Sequence, residues 1–150
     1  MTELILPILA AIIIIALGIY AGKTLYLLKQ QNLRQQNARN KRIESMEQSI
    51  QTIAFAMQQQ QCNYSEGAVR ICNLLKALPI ANIPDYSSVY PELHDLYEKI
   101  KDYPTHKERD ALSKQERRRQ DKQREQLESE AETGIQEEIV RLRVFSCSVQ

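Results

Sequence analysis

Residues 4–22 read LILPILAAIIIIALGIYAG, nineteen positions without a charge. At about 1.5 Å per residue such a helix spans roughly 28 Å, close to the ~30 Å hydrocarbon core of a bilayer. Leu4, Ile12, Ile15, Gly18 and Gly22 mark its course, and no face of it is polar. A buried helix of a soluble domain is rarely apolar all round. Lys23 can snorkel toward headgroups, which lets Thr24 to Leu28 carry the helix through the interface, to residue 28. Tyr20 and Tyr26 stand where interfacial aromatics are favoured, and Pro7 falls in the first two turns, where a missing amide costs least. The stretch predicts a membrane anchor.

A cleaved signal peptide competes with that reading, since Ala16-Leu17-Gly18 is a passable small-x-small site. Signal peptides, however, open on a positive region, and here the apolar run follows Met-Thr-Glu. Charge also sets the orientation. Lys23, Lys29, Arg34, Arg39, Lys41 and Arg42 precede the first following acid, Glu44, while residues 1–3 hold no Lys or Arg. The positive-inside rule then predicts residues 1–3 outside, a single span, a basic juxtamembrane stem over 23–42 and a cytoplasmic C-terminal domain. The stem continues the span as one rod and can rest on anionic lipid. No aromatic residue interleaves with its charges between 29 and 42, which makes nucleic acid an unlikely partner. Gly18 and Gly22 form a GxxxG, read either as a helix-dimer contact or as ordinary membrane-helix composition.

Working outward, the 150 residues carry 43% hydrophobic side chains and a net charge of +1, so no global field points to a polyanionic or polycationic partner. Cys62, Cys72 and Cys147 form an odd, sparse set without a CxxC pair, which fits a reducing compartment rather than a disulfide framework. Residues 43–112 have the apolar density for a small helical core.

Residues 29–61 contain no Gly or Pro and ten glutamines, so they read as one helix continuing from the membrane. Within it Ile43, Met46, Ile50, Ile53 and Met57 recur at the 3,4 spacing of a coiled-coil seam, serving either packing within the domain or an intermolecular coil. Asn63 and Glu66 make a capping-box pattern for a helix to about residue 78, with an Ala68, Ile71, Cys72, Leu75, Leu78 stripe and an exposed Glu66–Arg70 pair. A loop over 80–90 follows, whose tyrosines either cover the core or face a partner. Pro91 opens another helix to about residue 102 with Leu93, Leu96, Tyr97 and Ile100 inward. Further capping boxes at 105–108 and 113–116 start a short helix and then a charged one over 113–143. The first half of that last helix has no apolar face and is expected to project into solvent. Leu127, Ala131, Ile135, Ile139 and Leu142 then form a stripe for docking or self-association. The expected class is all-α, with a 144–150 tail that matches no pattern.

No motif reaches a catalytic or cofactor-binding signature. His94 and Glu98 share a helix face, and His106, Glu108 and Asp110 cluster nearby, but there is no HExxH and no repeated ExxH pair. No Walker A, GxSxG or GxGxxG pattern occurs. Arg117-Arg118-Arg119 offers phosphate contacts to RNA or lipid, against the simpler reading of a solvated face of i,i+4 pairs.

The anchor, then NKRIESMEQSIQTIAFAMQQQQCNYSEGAVRICNLL, PDYSSVYPELHDLYEKIKDYPTHKERDALSK and DKQREQLESE, resembles a bacterial family of small membrane-anchored proteins carrying a domain of unknown function. The resemblance covers roughly residues 10–143. It implies a bacterial inner membrane and a helical cytoplasmic domain, and it carries over no activity and no functional residue. The expectation is a non-enzymatic interaction or scaffold module that touches the bilayer and a protein partner or a second copy, with no cofactor, metal or small-molecule substrate. Two alternatives stand beside it: a membrane-tethered enzyme or regulator using His94, Glu98 and His106, and RNA or anionic-lipid binding through the basic helices.

Overall fold

A computed structural model describes residues 2–104, 109 and 111–147, with residues 2–7 and 10 described by backbone alone. Among the described residues the helices run in the order α1 (Thr2–Gln58), α2 (Tyr64–Lys76), α3 (Tyr86–Val89), α4 (Pro91–Ile100) and α5 (Lys114–Leu142). No strand occurs among the described residues, so the chain is all-α. The expected short helix over 105–108 lies outside the described residues. The chain divides into two units, residues 1–41 and 42–150.

The first unit is the N-terminal part of α1. Every described side chain in it is exposed, including Ile12, Ile15, Leu17, Ile19, Leu25 and Leu28. The helix from Ala11 is long and apolar enough to cross a membrane by length and composition, a test that a signal sequence also passes. Gly18 and Gly22 face open space.

The second unit begins inside α1 and is built on a core shared by α1, α2, α4 and α5. Met46, Ile50, Ala54 and Met57 come from α1; Ala68, Ile71, Cys72 and Leu75 from α2; Leu93, Leu96 and Ile100 from α4; Ile135, Ile139 and Leu142 from α5. The seam residues Ile43, Met46, Ile50 and Met57 are buried within this unit, but Ile53 is only partly buried and Ala54 takes the interior position. Three successive steps of 4, 4 and 3 from Met46 give a face at the ordinary 3.6-residue helical period rather than at a strict coiled-coil repeat.

α1 stops at Gln58, three residues short of the expected 61. Gln60 takes a left-handed conformation (φ 56°), the Gln61 amide reaches back to the Ala56 carbonyl at 2.9 Å and the Gln60 amide to Met57 at 3.1 Å. These two bonds form a Schellman motif, usually closed by glycine. α2 then crosses α1 closely: a Cβ on Gly67 would overlap the buried thioether of Met57.

Asn63 is the N-cap of α2, yet its side chain makes no capping bond, and Glu66 turns to Arg70 at 2.6 Å instead of closing a capping box. The open Ser65 amide is taken by Glu128 of α5 at 3.1 Å. Ser113 and Glu116 do form the capping box expected at the start of α5. The 80–90 loop contains α3, a single turn held by Asp85, which accepts from the Ser87 amide at 3.1 Å and the Ser88 hydroxyl at 2.6 Å. The first half of α5 is not wholly solvated: Arg117, Gln120, Asp121 and Arg124 are half-buried, and Arg109 grips Asp121 through both carboxylate oxygens at 2.7 and 2.9 Å. The polar stripe misleads because the Arg109 guanidinium, donating from one nitrogen to both Asp121 oxygens, pairs with part of it.

Two substitutions test this local reading. Gln60→Gly removes left-handed strain and is expected to raise stability by about 1 kcal/mol. Gly67→Ala, which displaces the buried Met57 side chain, is expected to lower it by about 1–3 kcal/mol. Urea unfolding of the detergent-solubilised chain, followed by circular dichroism, reads both; unchanged midpoints would contradict the close crossing and the strained turn alike.

Candidate functional site

The buried polar residues of the described core are Ser65 and Glu138, and Glu138 is the one that carries charge. It follows Ile135 by three residues on the face of α5 that also buries Ile139 and Leu142, so its carboxylate enters the core. There it accepts the Glu92 amide at 3.0 Å and the Leu93 amide at 2.9 Å. Those are the second and third residues of α4, whose first is Pro91, without an amide hydrogen, and whose N-cap, Tyr90, offers no capping side chain. One turn earlier on α5 stands Gly134, where a Cβ would overlap the aliphatic stem of Glu92. Gly134 leaves room for the Glu92 side chain, and the Glu138 carboxylate satisfies the first-turn amides of α4.

Burial pushes the Glu138 carboxyl above the ordinary carboxylate range, partly offset by the Leu93 and Glu92 amides and by Arg141. The Arg141 guanidinium lies 3.9 Å from Glu138 Oε1 and stands over the Tyr90 ring at 5.5 Å.

A second cluster surrounds residues 144–147, which leave α5 without helical structure. Gln51 Nε2 donates to the Phe145 carbonyl at 2.8 Å, and the Cys147 amide donates to Glu47. Phe145 is buried and meets Tyr86 edge-on, with ring centroids 5.9 Å apart. Cys147 Sγ lies 3.7 Å from the Tyr86 hydroxyl. Burial, then the Cys147 contact, raises the Tyr86 hydroxyl. The tyrosines of the 80–90 loop thus cover the interior, Tyr90 fully and Tyr86 in part. Arg143 closes the other side, bonding Gln58 at 2.7 Å and standing over Phe55 at 5.4 Å.

The residues singled out from sequence fall as follows. Ile12, Ile15, Gly18 and Gly22 lie in the exposed span, and Leu4 lies on the α1 backbone. Lys23, Lys29, Arg34, Arg39, Lys41 and Arg42 are exposed along α1. Leu127, Ala131, Ile135, Ile139 and Leu142 pack into the unit's own core, so that stripe does not face outward. His94 Nδ1 lies 3.2 Å from the Tyr90 carbonyl, while Glu98 pairs with Lys101 at 2.5 Å. The partners of both residues lie within the α4 region itself. His106, Glu108 and Asp110 lie outside the described residues. No group of three or more His, Cys, Asp or Glu able to hold a metal occurs among the described residues. All three thiols are pushed up by burial, Cys72 to about 12, the reverse of nucleophile activation.

Sequence reasoning missed Glu138, Glu128 and the docked tail. A signal for Glu138 was present: an acid on the same helical face as Ile135, Ile139 and Leu142 must either break the face or find donors inside it.

Glu138→Ala leaves one buried and one part-buried amide without their acceptor and is expected to cost about 2–5 kcal/mol. The carboxyl also makes stability pH-dependent. Its raised value lets the folded chain hold a proton where the unfolded chain has lost it. Its contribution is therefore full below the ordinary carboxylate value and is lost as pH rises through the raised one. Urea midpoints across that window should fall with pH in the native chain relative to Glu138→Gln; parallel profiles would remove Glu138 as the cause.

A family model described as "Protein of unknown function (DUF2489)" matches residues 14–142. A Haemophilus influenzae protein described as "Uncharacterized protein" is 40% identical over 132 residues, covering 84% of this chain and 87% of that one. No solved structure matches the chain. The match takes in most of α1 and all of α2 to α5, including Gly134 and Glu138, and the chain belongs to the bacterial DUF2489 family, whose function is unknown.

Proposed function

We propose that this chain is a non-enzymatic interaction module tethered to the bacterial inner membrane by a single span, with its helical domain in the cytoplasm. The carrying observation is that the described apolar side chains between Ile8 and Leu28 are uncovered on every face of α1. Water opposes that exposure and hydrocarbon accommodates it. The six positive residues from Lys23 to Arg42 support residues 1–3 outside and the domain inside.

An interaction role follows from how the domain uses its chemistry. His94 and Glu98 are engaged by neighbours, the thiols are raised, and Glu138 holds a helix end. What remains outward is shape and charge. The bilayer is one partner and a protein is the other. Anionic lipid contact through the stem is a second reading, favoured by the exposure of its basic side chains. Helical rise puts Lys29 about 9 Å beyond Lys23, near the ~8 Å screening length, while Arg34 and Lys41 lie about 16 and 27 Å beyond it. Lipid thus accounts for Lys23 and Lys29 better than for the rest.

Topology is read by fusing reporters after Gln150: a fluorescent protein is expected to glow and a periplasm-dependent phosphatase to stay silent. An active phosphatase overturns the cytoplasmic placement and the reduced-thiol argument together. Crosslinking in native membranes is expected to recover a reproducible protein partner or a second copy; repeated recovery of neither counts against the module.

A further inference from the structure

We draw no further inference here: the strongest candidate, the surface patch of Phe55 on α1 with Val140 and Val144 at the end of α5 beside Arg143, is an exposed apolar face, and nothing in the structure shows what covers it.

Discussion

Every helix begins with amides that its own carbonyls cannot reach, and in α2 and α4 this fold meets that constraint across space rather than along the chain. α4 opens on Tyr90 and Pro91, a pair that offers no capping side chain, and its next two amides face α5. The Glu138 carboxylate takes both. α2 opens on an Asn63 whose side chain stays out of the cap, and Glu128 takes the Ser65 amide. α5 therefore fixes both the position and the polarity of the two helices it packs against. Its apolar stripe gives the contact, and its acids, ten residues apart, set the register in which that contact is made.

The two glycines of the domain serve the same arrangement. Gly67 lets α2 approach Met57 on α1, and Gly134 lets the first turn of α4 approach α5 beside Glu138. Both occupy helical interiors, where glycine is intrinsically unfavourable, and in each case the position is filled by a neighbouring side chain that a methyl group would displace. A core of this size depends on such contacts, since it has few large side chains to bury.

What could be read from the residues divides along the same line. The 4–22 stretch, the stripes of α2 and α4 and the Ser113–Glu116 box were legible because each is encoded locally, by hydrophobic period or by spacing. Asn63 and Glu66 had the right spacing for a box, but spacing cannot show that Glu66 has Arg70 as a competing partner and that Ser65 has Glu128. Ile53 fitted a 3,4 repeat as well as Ala54 fitted a helical face, and a short run does not separate the two periods. The half-buried polar face of α5 depends on Arg109, twelve residues before Asp121, and no helical periodicity links them. The tail was opaque for the simplest reason: its partners Glu47, Gln51 and Tyr86 lie sixty or more residues upstream.

That both helix caps come from α5 also orders the domain's assembly in time. Synthesis delivers α2 and α4 well before residues 128 and 138 exist, and until those arrive the Ser65, Glu92 and Leu93 amides can be met only by water. The apolar faces of α2 and α4 can gather early, but their first turns stay frayed until the last helix docks. A ribosome that stalls between residues 100 and 128 thus leaves helices with open ends, a form that proteases and chaperones distinguish from the finished domain.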